Sequence, residues 1–272
     1  MPEIKTNPSG DEKAVEAVGP VPRTASKAWI VRAISIVAVV GGWEIAGRQV
    51  SPVFLSYPTA IAEAGWAMLK SGELLSSLAT SLETLVVGFL SASAIGIVLG
   101  LLIGRYRLFD AATDWLINAL YAMPMVAIIP LVILWFGLGE AAKLFIVAIL
   151  SVFPVLINTA AGVRNVPQSL IDVSTAFAAN ERQVFSKIIL PSAVPYMMTG
   201  LRLGIGRAII GMVVAEFFTA ITGLGAVIVK YGNQYDTASM FVPLLVLMLL
   251  GILLTHGVRK LEQKVAPWRD SD

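Results

Sequence analysis

The sequence predicts an all-α polytopic membrane protein with about six spanning helices and both termini in the cytoplasm. Three observations lead there. The 272 residues are 57% hydrophobic and only 14% charged, with a mean hydropathy of +0.79, whereas soluble domains carry about a quarter charged residues. Several apolar runs are long enough to cross ~30 Å of hydrocarbon. In a six-span arrangement all but four of the 20 Lys and Arg residues fall on one side, and that side is the cytoplasm.

Residues 1–27 are polar with no early apolar core, so they read as a disordered cytoplasmic tail and not as a signal peptide. The first span, 28–46, carries Arg32 and Glu44 near its ends, where long side chains reach the interface. Residues 48–82 make a long outer connection. Within it Pro58, Ile61, Ala64, Trp66, Met68 and Leu69 suggest a short helix lying along the interface, so that 28–73 form a span plus an interfacial helix. The runs 84–103, 115–138 and 144–163 contain no charge and supply spans two to four. The fifth, 203–224, carries Arg207 and Glu216, and the sixth, 238–258, carries His256 near its end. A membrane core over 74–260 is followed by a second cytoplasmic tail, 261–272.

Prolines and glycines mark the helix packing. Pro124 and Pro130 in the third span and Pro154 in the fourth are expected to kink their helices, either for packing or as walls of a cavity. Gly88, Ala92, Gly96, Gly100 and Gly104 repeat at four-residue spacing. Such a stripe lets a second helix approach closely, within the chain or at a dimer seam.

Placement of charge fixes the sidedness. Only Arg48, Lys70, Lys143 and Lys230 lie outside when both termini are cytoplasmic. A net charge of +2 gives no reason to expect nucleic acid as a partner. With no cysteine there is no disulfide, thiolate metal site or cysteine nucleophile, and no cofactor is expected.

The polar island at 164–191 interrupts the apolar pattern. Asn165 is placed to cap a short helix with Pro167 in its first turn. Leu170, Val173, Ala176 and Phe177 then share one face. Asn180 with Gln183 three residues on makes a capping-box pattern for a second helix, whose apolar residues are Val184, Phe185, Ile188 and Ile189 and whose end is Pro191. Such amphipathic helices either fold back on their own bundle or seat in a groove of a cytosolic partner.

The island resembles the signature loop of binding-protein-dependent ABC importer permeases. That pattern is Glu-Ala-Ala, three residues, Gly, nine residues, Ile-x-Leu-Pro. Here Asp172-Val173-Ser174, Ala178 and Ile188-Ile189-Leu190-Pro191 keep the spacing; Ile188, Leu190 and Pro191 match outright, and Ala178 stands at the glycine position. A left-handed alanine costs about 1–2 kcal/mol. The expectation is therefore that Ala178 stays helical and the turn shifts to Ala179–Asn180, where asparagine tolerates it better. WFGLGEAAK at 135–143, LPSAVPYMMTGLRLGIGRAIIGMVVAEF at 190–217, TGLGAVIV at 222–229 and APW at 266–268 are similar to the nitrate/sulfonate/taurine branch of these permeases.

The resemblance implies a type I ABC importer transmembrane fold in the bacterial inner membrane. It also implies a second permease copy, cytosolic ATPase subunits on the 164–191 loop and an extracytoplasmic substrate-binding protein. The solute implied is a sulfonate, taurine, nitrate or related organic anion. Asp172, Ala178, Ile188, Leu190 and Pro191 would form the ATPase-coupling loop. The chain has no phosphate-binding G-x-x-x-x-G-K-[ST] motif of its own, so ATP hydrolysis falls to a separate subunit and the chain itself is not expected to be an enzyme.

Two ionisable residues at membrane depth are candidates for the pathway or gate. Glu216 is expected to be hydrogen-bonded, bracing its helix or an outer gate. Arg207 either faces an anion in the pathway or, as the preferred reading, snorkels to the cytosolic interface. An ion-driven secondary transporter would show inverted repeats and paired midplane charges, and no such repeat is visible. H-E-x-x-H and G-x-S-x-G motifs of an intramembrane enzyme are absent, and one histidine leaves little general-base capacity.

Overall fold

The computed structural model describes residues 25–219 and 221–266; the tail expected over 1–27 lies outside them apart from its last three residues, which already begin a helix. The described residues contain helices and no strand. α1 is Ala25–Gln49, α2 Pro58–Lys70, α3 Glu73–Arg105, α4 Arg107–Ala122, α5 Ile129–Phe136 and α6 Glu140–Arg164. α7 is Gln168–Ala176, α8 Glu181–Val184, α9 Leu190–Thr219, α10 Leu224–Asn233 and α11 Thr237–Val265. Among the described residues four helices are long and apolar enough to span a membrane, and six spans result if each of two bent helix pairs counts as one. The end bearing the 165–190 loop is called inner below, and the opposite end outer.

α6 is the centre of the bundle, held between α3 and α9. The sequence makes this close approach with glycine on both flanks. Gly88, Gly96, Gly100 and Gly104 of α3 face Val147, Val155, Thr159 and Val163 of α6, and a Cβ on Gly100 would stand 2.6 Å from Cβ of Thr159. Gly200, Gly204 and Gly211 of α9 meet the other side of α6 in the same way. The glycine stripe therefore serves intrachain packing. Leu85, Val147, Ile205, Met212, Leu224 and Val242 form the largest core, where α3, α6, α9, α10 and α11 meet.

Several sequence expectations change. The third span is not one kinked helix: α4 and the segment Met125–Phe136 meet at 87°. Pro124 caps a 3₁₀ turn over Met125–Ile128, and Pro130 then sits in the first turn of α5, where its missing N–H costs nothing. The fifth span begins at Leu190, not 203, and stops at Thr219; Leu224 belongs to α10, which starts after Gly223 with φ +97°. Pro191 does not end the second loop helix. A π turn over Phe185–Ile189 takes up the proline and α8 runs on into α9. At the far end α11 continues to Val265 and buries Glu262, so 261–265 are helix and not tail; Pro267 and Trp268 lie outside the described residues.

α1 touches the rest of the chain mainly through its outer end and α2. Trp43 Nε1 donates to the Ser56 carbonyl at 2.9 Å, and Glu44 accepts from Thr59 and Arg48. Its apolar residues from Trp29 to Val40 stand exposed. α2 packs on α11 and α3, burying Ile61 and Met68 and leaving Trp66 exposed.

Candidate functional site: a coupling loop, a bare helix face and an outer lock

The loop that the sequence singles out divides in two. In α7, Leu170, Val173, Ala176 and Phe177 all face away from the chain, and Phe177 is 83% exposed. Asp172 is exposed beside them, accepting from Gln168 Nε2 at 3.0 Å. In α8 and the π turn, Val184, Phe185 and Ile189 pack instead on Val163, Ala193 and Met197 of the bundle, with Leu190 at the edge and Ile188 half-buried. One half of the loop anchors, and the other presents an uncovered apolar face.

The junction is a Schellman motif. Ala179 N–H donates to the Ser174 carbonyl at 2.9 Å and Ala178 N–H to the Thr175 carbonyl at 3.0 Å. Ala178 itself sits at φ +47°, so it does not stay helical: it takes the left-handed position of the glycine it replaces. The 6→1 and 5→2 bonds satisfy the last carbonyls of α7 only with that residue turned left, and they outweigh the steric strain. Asn180, extended, caps α8 in the expected capping box with Gln183. Asn165 does not cap α7; it follows the last turn of α6, and Pro167 precedes α7 without a side-chain cap. Ala178→Gly is expected to raise the thermal midpoint by a few degrees, as relief of about 1–2 kcal/mol of strain exceeds the added chain entropy. An unchanged or lower midpoint in a fluorescence melt would contradict the strain.

One ion pair ties the loop to the bundle and a second joins α6 to α4 beside it. Arg105 at the end of α3 meets Glu181 at 3.4 Å, and Arg164 at the end of α6 pairs with Asp110 of α4.

Glu216 is fully buried at the outer end. Oε1 accepts from Ser81 Oγ at 2.7 Å and Oε2 from Gly225 N–H at 2.7 Å, while Ser81 Oγ accepts from Leu224 N–H at 2.8 Å. One carboxylate thus joins α9, α3 and the start of α10. Gly223 packs so closely on it that a Cβ there would overlap the carboxylate.

Lys143 is a residue whose role sequence reasoning missed. Assigned only to the outer side by the charge bias, it is 1% exposed, donates to Thr222 Oγ1 at 2.8 Å and pairs with Glu140, which also accepts from Thr84 at 3.2 Å. The Glu140–Lys143 spacing was visible, but an i,i+3 pair reads equally well as a surface pair.

Arg207 is on the opposite kind of surface. It is exposed, with no hydrogen-bond or ion-pair partner among the described residues. Its height follows from its neighbours: Gly204 touches Ser151 and Val155 of α6, and Gly211 touches Val147 and Leu150. Arg207 is therefore level with the middle of α6, roughly 18 Å along the axis from either end of that helix. From that height a snorkelling side chain would have about half of the bundle to cross before reaching either end. Leu203, Ile210 and Phe217 share its exposed face, and at the inner half of the same side Asn158, Pro195, Tyr196 and Thr199 line a cleft of about 420 Å³.

These features coincide with a known family. The family model described as the inner membrane component of binding-protein-dependent transport systems matches residues 92–267. The chain belongs to this family. The permease is 32% identical over 269 residues to the Bacillus subtilis (strain 168) protein named as an aliphatic sulfonates transport permease, SsuC, covering 94% of this chain and 98% of that protein. It is 31% identical over 232 residues to the taurine transport system permease TauC of Escherichia coli (strain K12), covering 83% and 84%. Among solved structures, an amino acid ABC transporter matches at TM-score 0.54 and 17% identity, over 75% of the permease and 98% of that chain. The MetNI methionine ABC transporter, in an inward-facing conformation, matches at TM-score 0.51 and 20% identity, over 74% and 96%. The fold is thus that of ABC importer permeases, and the permease is a multi-pass inner-membrane protein and the transport component of an ABC importer.

Proposed function

We propose that the permease imports a small organic anion, a sulfonate or a close relative of one, along the bare face of α9, with a second copy closing the path. The observation that carries this reading is Arg207. An unpaired cation at mid-bundle depth is strongly disfavoured against hydrocarbon and is stable beside a water-filled path, where it attracts an anion. The polar side chains Asn158, Tyr196 and Thr199 on the same side support a wet surface, and the sulfonate and taurine names of the relatives agree in charge. The second copy rests on the resemblance to binding-protein-dependent importer permeases, since lipid satisfies the exposed apolar residues of α1 as well as a partner would.

In this reading the inner end and both termini are cytoplasmic, as the charge bias favours. The exposed α7 face seats in a groove of a separate ATPase subunit. Glu181 to Thr219 is one continuous helical rod through the π turn, so a displacement of the loop by the ATPase moves Arg207 and Glu216 with it. Closure of the ATPase dimer on ATP would then switch the path between outward and inward access, and an extracytoplasmic binding protein would deliver the solute.

The test is ATP hydrolysis by the permease reconstituted with its ATPase and binding protein, across alkanesulfonates, taurine, nitrate and carboxylates. Stimulation by a sulfonate is expected; stimulation by none of the anions would remove the substrate class. Phe177→Asp is expected to abolish co-purification with the ATPase while the chain still inserts and melts normally. Co-purification at the parent level would show that α7 is not the docking face.

A further inference from the structure

A second cleft, of about 590 Å³, opens between α9 and α11 toward the inner end. It is not part of the proposed path. Its α9 wall is Arg202, five residues from Arg207 and hence about 140° round the helix from it. Its α11 wall runs from Leu247 through Met248, Gly251 and Ile252 to Thr255, His256 and Arg259. The first four are apolar and the end nearest the loop is basic. From Leu247 to Arg259 the helix rises roughly 18 Å, close to half of the ~30 Å hydrocarbon thickness. Gly251 deepens the middle of the groove: a Cβ at this position would find Ile209 Cδ1 as its nearest neighbour, at 3.9 Å.

The basic side chains at this end are not all used. Arg202 is held by Glu262 at 2.9 Å, and Glu262 is buried. Arg259 and His256 are exposed and have no partner among the described residues. Lys260 and Lys264 follow on the same helix, both exposed. The groove therefore combines a surplus of positive charge at one end with an apolar channel one leaflet long. A soluble anion would use only the first of these features, and an apolar helix only the second.

We infer that this cleft binds one anionic phospholipid. The headgroup phosphate lies between Arg259 and His256, with Arg202 oriented at its side by Glu262, and one acyl chain runs along Leu247, Met248, Gly251 and Ile252. Basic pockets between membrane helices hold acidic lipid headgroups in this way. Assignment of that lipid to the cytoplasmic leaflet rests on the orientation proposed above; the binding itself does not.

The test uses the full chain in nanodiscs made of equal parts phosphatidylglycerol and phosphatidylcholine, released into mild detergent and weighed by native mass spectrometry. One phosphatidylglycerol retained per chain is expected. The double variant Arg259→Gln with His256→Gln should lower the preference over phosphatidylcholine about fivefold. Gly251→Leu, which fills the channel without touching the charges, should lower retention of both lipids. Lys70→Gln, an exposed cation of α2, should change nothing. Equal retention of both lipids by the parent chain, or an unchanged preference in the double variant, overturns the assignment. So does a Met248→Cys chain that cross-links efficiently to a second copy through this position. Because the weighing needs neither ATPase nor solute, its failure is distinct from a failure of solute-stimulated ATP hydrolysis, which bears only on the transport reading.

Discussion

Replacing Arg207 by glutamine is expected to reduce solute uptake at subsaturating substrate by about 10- to 100-fold, the range for losing a charge-assisted hydrogen bond of about 1.5–3 kcal/mol. The side chain is exposed and makes no hydrogen bond or ion pair with a described residue, so the thermal midpoint should stay at the parent value. That combination separates a pathway role from a structural one. Arg207→Lys keeps the charge but not the planar fork that suits an oxyanion, and it should recover part of the lost uptake. Arg207→Glu should abolish uptake of anions altogether by like-charge repulsion in a low-dielectric path. Uptake rates in proteoliposomes, measured with melts of the same preparations, check all three variants. Full uptake by Arg207→Gln would remove Arg207 from the path and with it the main support for an anionic solute.

Replacing Glu216 by alanine is expected to lower the thermal midpoint by about 10 °C. The carboxylate accepts from both Ser81 Oγ and Gly225 N–H in a fully buried site. Its removal leaves two buried donors unsatisfied, each worth about 1–3 kcal/mol, and in a chain of this size about 1 kcal/mol moves the midpoint by roughly 2–4 °C. Glu216→Gln retains one acceptor oxygen and the shape, so a drop of about a third as much is expected. Its amide nitrogen must face either Gly225 N–H or the Ser81 hydroxyl, whose proton then loses its acceptor. Ser81→Ala should resemble the glutamine variant, since it removes one donor to the carboxylate and the acceptor for Leu224. Coupling between Glu216 and Ser81 in a double-mutant cycle would confirm that they act as one lock. A melt of Glu216→Ala matching the parent would dissolve the lock, and normal stability with lost uptake would turn Glu216 from a brace into a pathway residue.

The two residues show how far sequence reasoning reaches. That both lie in one apolar segment was visible, as was the cost of placing charge there. Which one faces the core was not. A helix offers each residue one of several directions, and only the glycine faces of α3 and α9 against α6 settle that Glu216 points inward and Arg207 outward. The same holds for Lys143. Its apolar neighbours made it look like the last residue before a span, and only the return of the chain through Thr222 closes over it.

In the loop, the spacing together with the outright matches at Ile188, Leu190 and Pro191 carried the resemblance, because the positions of Asp172, Ala178 and Pro191 are set by local backbone geometry. The capping box at Asn180 and Gln183 was legible for the same reason. The strained φ of Ala178 was not, since local propensity argued against it and two Schellman hydrogen bonds in the folded loop overrode that argument. Likewise, prolines marked where the third span would bend, but the 87° break needs the end of α4 and the start of α5 to find different neighbours.

Composition, apolar run length and the placement of Lys and Arg determined by themselves that this chain is a helical membrane protein with a polar inner loop. Those quantities follow from transfer free energies that act residue by residue and need no partner. The broken third span, the continuous rod from Glu181 to Thr219, the outer lock and the bare Arg207 were decided only in the tertiary structure. Each depends on which side of a helix meets which neighbour, and that is set by close packing of glycine and side-chain surfaces distant in sequence.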